Sequence, residues 1–311
     1  MEYRRVGASG LKVSAISVGG WITFGGTIGD ETAGQILRAA IDGGVNFIDL
    51  ADVYAMGEAE KTVGRFLPEY KRSELVVSSK VFGKMSDDPN DRGLSRKHIF
   101  ESIDRSLRNL GTDYLDIYFC HRADPETPLE ETIAAMDDLV HQGKILYWGT
   151  SVWSPETLEA AHELAGERRL VAPIVEQPLY NLTDRGIERD VIPTAKRLGM
   201  GLTVWSPLAG GLLTGKYDDG IPKGSRADTS EWLDAERIEK NRERLRRFSQ
   251  IAEGMGARPG QLALAWILQN DAITCVLTGA TSPAHIASNL KAVELELGDD
   301  VNAELAELFP A

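Results

Sequence analysis

The chain has 311 residues and a net charge of −13. That length is ordinary for one α/β barrel and long for other single domains, and the acidic balance excludes a broad phosphate-backbone footprint, and with it nucleic acid. Cys120 and Cys275 lie in apolar strand-like runs and read as buried small hydrophobes rather than a disulfide framework. No run reaches the roughly 18 apolar residues of a membrane span and no apolar segment follows the N-terminal Met-Glu-Tyr-Arg-Arg, so a cytoplasmic protein without membrane insertion is expected.

In chain order, Tyr3–Val6 and Leu11–Val13, joined through Ser9-Gly10, predict a hairpin outside the main repeat, plugging the bottom of a barrel. Ala15–Val18 is the first barrel strand. Asp30 is placed as the cap of a helix whose Ala33, Ile36, Leu37, Ala40 and Ile41 fall on one face, with Gly43-Gly44 as its stop. Strand Asn46–Asp49 follows, then a helix from Glu58 to Leu67 ending before Pro68, then strand Leu75–Lys80. Ser95 opens a helix carrying Ile99, Ile103, Leu107 and Leu110, closed by Gly111. Strand Tyr114–His121, helix Pro128–Gln142 and strand Ile145–Ser151 continue the alternation. Ser154-Pro155 gives a cap and a first-turn proline. Strands Pro173–Gln177, Gly201–Trp205 and Thr274–Thr278 bring the count to eight, the number a closed barrel needs. The apolar helix Pro259–Gln269 is extra to the repeat. The whole chain, 1–311, reads as one (β/α)8 TIM barrel domain with extra helices and a long loop at one mouth. That loop, between Trp205 and Ala235, is rich in glycine and proline and too long to be a plain connection; a lid or ligand clamp is expected.

Asp49, Tyr54, Lys80 and His121 fall at or just beyond three successive strand ends, where a barrel gathers residues at one mouth. A phenol titrates near pH 10, so it gives up a proton near neutrality only if something stabilises the phenolate; the Lys80 ammonium is the candidate. A lysine buried at a strand end needs a carboxylate, and Asp49 supplies it. His121 can orient a substrate carbonyl.

These residues, with the segment Gly44-Val-Asn-Phe-Ile-Asp-Leu-Ala-Asp-Val-Tyr54 and Gly57-Glu-Ala-Glu-Lys-Thr-Val-Gly64 behind it, resemble the aldo-keto reductase superfamily over essentially the whole chain. Arg92-Gly-Leu-Ser-Arg-Lys-His98, Thr127-Pro-Leu-Glu-Glu-Thr132, Tyr147-Trp-Gly-Thr-Ser151, Trp205-Ser-Pro-Leu-Ala209 and Gly215-Lys-Tyr217 are similar to the potassium-channel β-subunit branch and its bacterial reductase relatives. The resemblance implies a metal-free oxidoreductase that reduces small aldehydes or ketones with NADPH. Tyr54 is then the general acid, Lys80 lowers its pKa, Asp49 holds Lys80, and His121 orients the carbonyl. Channel β-subunits typically carry asparagine at the position of His121, so the histidine weighs toward catalysis.

By the same resemblance, Ser151 and Gln177 hold the nicotinamide carboxamide and Trp205 packs on the ring. Gly20, Trp21 and Thr23 form the first loop beside it. Ser206, Pro207, Leu208, Ala209 and Gly211 line the diphosphate path, and Lys216 and Arg226 supply its positive charge. Gly279, Thr281, His285 and Asn289 receive the adenosine end. Trp21, Tyr54, Phe82 and His121, with the loop Met85–Arg92, border the substrate; Asp87, Asp88 and Asp91 read as a solvated turn. Thr27, Val152, His285 and Ser288 depart from the branch pattern. Gly19-Gly20 and Gly25-Gly26 lack the G-x-G-x-x-G spacing, which disfavours a Rossmann dehydrogenase. The resemblance also implies a homo-oligomer, tetramer or octamer. The rival reading is a channel β-like regulatory subunit that senses redox state through bound NADP(H) with little turnover; His121 and a chain that enters the barrel within its first few residues weigh against it.

Overall fold

In the computed structural model residues 1–229, 233 and 235–310 are described, so part of the long joint ahead of Ala235 lies outside the described residues. Two short strands, β1 (Tyr3–Arg5) and β2 (Lys12–Ser14), pair antiparallel with Arg4 opposite Val13. Then come β3 (Ile16–Gly19), α1 (Asp30–Asp42), β4 (Phe47–Asp49), α2 (Glu58–Phe66), β5 (Val76–Val81), α3 (Arg96–Leu110), β6 (Leu115–Cys120), α4 (Leu129–His141) and β7 (Ile145–Thr150). The second half runs α5 (Pro155–Arg168), β8 (Val175–Glu176), α6 (Val191–Leu198), β9 (Gly201–Val204), α7 (Arg226–Thr229), α8 (Ala235–Gly254), α9 (Pro259–Leu268), β10 (Cys275–Thr278), α10 (Pro283–Leu290) and α11 (Asp299–Leu308). Strands β3 to β10 are all parallel and close into an eight-stranded barrel, β10 pairing with both β3 and β9. The fold is a (β/α)8 barrel with an N-terminal hairpin. Among the described residues no helix is long and apolar enough to cross a membrane.

Side chains alternate along each strand, so every second residue enters the barrel. Phe47, Val76, Ile117, Phe119, Val175 and Cys275 fill the lower interior. Val6 and Val13 of the hairpin join that cluster from below, which makes the hairpin the plug expected of it. The loop after β1 is held tightly there. Gly7 sits at φ +56, and a Cβ on it would strike Gly199 O at 2.2 Å, so only glycine fits. Two residues further along each strand, the same inward register places Asp49 above Phe47, Ser78 above Val76 and Gln177 above Val175. The outward residues pack against the helices in one continuous apolar shell that includes Ile48, Val77, Tyr118 and Trp148.

Local signals mostly act as the sequence predicts. Ser95 Oγ accepts the His98 N–H at 3.3 Å, and Ser154 Oγ accepts that of Thr157 at 3.3 Å with Pro155 in the first helical turn. Asp30 is the exception: Gly29 occupies the cap of α1, and the Asp30 carboxylate instead accepts from Thr62 Oγ1 at 3.0 Å and pairs with Arg65. A tertiary bond to α2 outcompetes the local cap. The long joint, expected as a lid or clamp, is packed down over part of its length. Leu212, Leu213, Tyr217 and Leu233 are buried in a second apolar core with Ile238, Leu245 and Phe248 of α8, Leu262 of α9 and Leu305 of α11. Both cysteines are buried free thiols, and burial pushes their pKa values up.

Candidate active site

Lys80 is the last inward residue of β5 and is fully buried. An ammonium has three N–H donors and no acceptor. All three are used. Nζ donates to Asp49 Oδ2 at 2.6 Å, to the Leu50 carbonyl at 2.6 Å and to the Tyr54 hydroxyl at 3.2 Å. Burial works against its charge, but Asp49 and Tyr54 outweigh burial and the pKa is raised. Asp49, at the end of β4, is held in turn: Oδ1 accepts from Ser78 Oγ at 2.8 Å and from Gln177 Nε2 at 3.1 Å.

Because Lys80 can only donate, the Tyr54 oxygen accepts from it and the phenolic hydrogen is left free to point elsewhere. Tyr54 opens a short turn after β4 in which Ala55 and Met56 take φ of +48° and +55°. Left-handed backbone at two successive non-glycine residues is a local strain. Burial raises the Tyr54 pKa, and the Lys80 ammonium opposes this without prevailing. Lys80 thus acts in the expected direction, lowering the phenol's pKa, while desolvation of the phenolate is the larger effect in this enclosed corner and the phenol is protonated at neutrality.

His121 follows β6. Its ring meets that of Tyr54 edge-on, with centroids 5.8 Å apart. Burial, then the charges of Lys80 and Arg122, hold its pKa down to about 2. The imidazole is neutral across the physiological range, a hydrogen-bond partner rather than a cation. The four residues read from successive strand ends thus meet in one cluster.

The expected cofactor residues line the same mouth. Ser151 Oγ donates to the Gln177 carbonyl at 2.9 Å, and Gln177 Nε2 reaches Asp49, so these two are tied to the tetrad. Gly20 donates its N–H to the Asp49 carbonyl at 3.0 Å, and a Cβ on it would strike Leu50 at 2.6 Å. Trp21 and Trp205 meet edge-on, 6.4 Å between centroids. Trp205 Nε1 and Thr23 Oγ1 are buried with no hydrogen-bond partner. Beyond Trp205 the chain turns through Ser206, Pro207, Leu208, Ala209, Gly210 and Gly211, with φ positive at Ser206, Ala209, Gly210 and Gly211. Lys216 and Arg226 lie against these glycines: a Cβ on Gly211 would stand 2.7 Å from Lys216 Nζ, and one on Gly210 3.7 Å from Arg226 Cδ. The Arg226 guanidinium also sits 5.8 Å from the Trp21 ring. Gly279 and Thr281 follow β10, with Thr281 Oγ1 3.2 Å from His285 Nδ1, and Asn289 is on α10. Gln261 of α9 donates to the Ser288 carbonyl at 2.9 Å and links α9 to α10.

Of the substrate-border residues, Phe82 follows Val81 and is half-buried. The loop 85–92 folds back on α3, with Asp91 accepting from Arg105 at 2.8 Å. Asp91 is therefore a half-buried anchor, not part of a solvated turn; Asp87 and Asp88 are exposed as expected. Sequence reasoning passed over three residues here. Ser78 supports Asp49, and it could have been found from its inward register two residues before Lys80. Arg122 donates from Nη1 to the His121 carbonyl at 2.5 Å and to Ser151 Oγ at 3.4 Å. Asp52, two residues before Tyr54, is fully buried and accepts from Ser102 Oγ of α3 at 2.6 Å.

The model of the aldo/keto reductase family matches residues 15–309. Among similar proteins, the chain is 45% identical over 304 residues to a putative voltage-gated potassium channel subunit beta of Schizosaccharomyces pombe, covering 94% of this chain and 88% of that one. It is 44% and 43% identical to probable voltage-gated potassium channel subunits beta of Arabidopsis thaliana and Oryza sativa subsp. japonica, covering 95% of this chain and 92% of each of those.

Proposed function

Because the chain belongs to the aldo/keto reductase family, we propose that it reduces small aldehydes and ketones to alcohols with NADPH, with Tyr54 as the proton donor. The observation that carries this reading is the Lys80–Tyr54 bond, in which the phenol oxygen accepts and its own hydrogen is free for a carbonyl oxygen. A nicotinamide held by Ser151 and Gln177 would supply the hydride for the carbonyl carbon. Tyr54 gives its proton to the carbonyl oxygen, completing the alcohol. The phenolate left behind is stabilised by the Lys80 ammonium, which Asp49 keeps charged and in place. The neutral His121 ring donates one N–H to the same oxygen and helps to orient it.

The mouth fits a dinucleotide. Lys216 and Arg226 stand over a glycine turn whose backbone allows close approach of phosphates, and the orphaned Thr23 Oγ1 and Trp205 Nε1 offer polar contacts beside the ring position. Ser151 and Gln177 take the carboxamide, Ser206 to Gly211 the diphosphate, and Gly279, Thr281, His285 and Asn289 the adenosine end.

A second reading is prompted by relatives named as potassium channel subunits beta: this chain would be a regulatory subunit that holds NADP(H) as a redox sensor with little turnover. NADPH oxidation over a panel of small aldehydes and ketones separates the two. Turnover that disappears in Tyr54→Phe, while NADPH binding persists, supports the reductase. Tight binding with no turnover on any carbonyl refutes it and favours the regulatory reading.

A further inference from the structure

Most lysines and arginines of this acidic chain either pair with a carboxylate or lie exposed. Among the described residues two do neither: Arg122 and Arg226 are half-buried and have no carboxylate within ion-pair distance. A guanidinium withdrawn from water without a counter-charge is costly. Arg226 belongs to the phosphate-facing turn already described. Arg122 does not. It stands at the other end of the mouth, between His121 and Ser151, bonded only to a carbonyl and a hydroxyl through Nη1, so Nε and Nη2 keep donors to offer. Its charge is felt by Tyr54 and His121. The carboxyl in its field, Glu176, faces outward from β8, where it is fully buried, satisfied by Thr150 Oγ1 at 2.5 Å and the Trp153 N–H at 3.3 Å, and pushed by burial up to about 7. Glu176 therefore makes no ion pair with Arg122.

We propose that Arg122 is a specificity-determining residue whose free N–H groups bind an anionic group on the substrate, so that this site prefers aldehydes or ketones bearing a carboxylate or a phosphate. The inference rests on the reductase reading and names its substrate class. A planar guanidinium with two adjacent free donors matches either anion, and the fork geometry is one that a lysine would not reproduce.

The test compares matched aldehydes in NADPH oxidation: one ending in a carboxylate, its uncharged methyl amide, and the same chain ending in a phosphate ester. The wild-type protein is expected to favour an anionic member in kcat/KM by about tenfold to a hundredfold, the range of a hydrogen bond to a charged group. The preferred arm identifies the anion. In Arg122→Gln the preference is expected to collapse to about twofold, the loss falling on the KM of the anionic aldehyde. A wild-type protein that treats charged and uncharged aldehydes alike overturns the proposal. So does a variant that loses both equally, since that marks Arg122 as only a brace between His121 and Ser151. If no carbonyl is turned over, the reductase reading has failed separately. Calorimetric titration of butanoate onto the NADP+-loaded protein then tests Arg122 alone: binding lost in Arg122→Gln supports the anion site, and no binding in the wild-type protein overturns it.

Discussion

Lys80 has a donor for every acceptor around it, and that saturation makes it sensitive to loss of any one partner. Lys80→Met fits the space but leaves Asp49 buried without a cation; breaking a buried pair this way costs about 3–5 kcal/mol. Urea titration is expected to show that loss, together with abolished turnover. Asp52 behaves oppositely. Burial, opposed by the Ser102 bond and reinforced by Glu60, pushes its pKa from 3.8 up to about 7. The folded chain thus holds that proton more tightly than the unfolded chain does, so the stability it contributes is complete below about pH 4 and is lost as pH rises to about 7. Asp52→Asn keeps the shape without the titration. It is expected to match wild type near pH 4, where both side chains are neutral, and to exceed it by about 2–4 kcal/mol at pH 8, from pH-dependent denaturant curves. A variant with the wild-type slope would refute the assignment. Asp52 was written in plain view in Ala51-Asp-Val-Tyr54, yet nothing local says that Ser102, fifty residues away, closes over it.

At the scale of elements, the helix pair behind the site is fitted by a missing side chain. A Cβ on Gly64 of α2 would stand 2.4 Å from Asn109 O and 2.9 Å from Leu110 Cα on α3. Backbone atoms at a helix end cannot yield as a side-chain tip does. Gly64→Ala is therefore expected to destabilise by about 1–3 kcal/mol despite the better helix propensity of alanine, visible as a lower Tm. An unchanged or raised Tm would mean that α2 can slide along α3. The same scale explains which boundaries were legible. Strand identity followed from β-branched runs and helix starts from Ser95 and Ser154, because those signals are local. The Asp30 cap failed because α2 offered its carboxylate Thr62 and Arg65, and the packing of the joint after β9, expected as a lid or clamp, was not legible because its buried leucines find their partners in α8, α9 and α11.

For the molecule as a whole, the apolar core around Leu212, Leu213 and Tyr217 lies directly under the turn that carries Ala209 to Lys216. A dinucleotide bound on that turn would be linked to the barrel and to the helices behind it. A single-domain chain is expected to unfold in one calorimetric transition that moves upward as a unit, by about 2.7 kcal/mol when NADPH is at a hundred times its Kd. Two transitions, with NADPH shifting only one, would divide the α8–α9–α11 core from the barrel and refute the single-domain expectation. Native mass spectrometry of the same sample tests the tetramer or octamer that the resemblance implies.

The alternation of apolar strands with amphipathic helices, and the ionisable residues at successive strand ends, were present in the sequence because side-chain period and turn chemistry are properties of neighbours along the chain. Closure of the barrel then follows from eight such units, and Asp49, Lys80 and His121 are carried to one mouth by the inward register of their strands. Tertiary structure alone decided the balance of charge. Whether Tyr54 rises or falls in pKa, whether Asp52 keeps its proton, and whether Arg122 finds a carboxylate depend on the solvent removed and the partners supplied by distant segments. Those are sums over three-dimensional neighbours that no local pattern encodes.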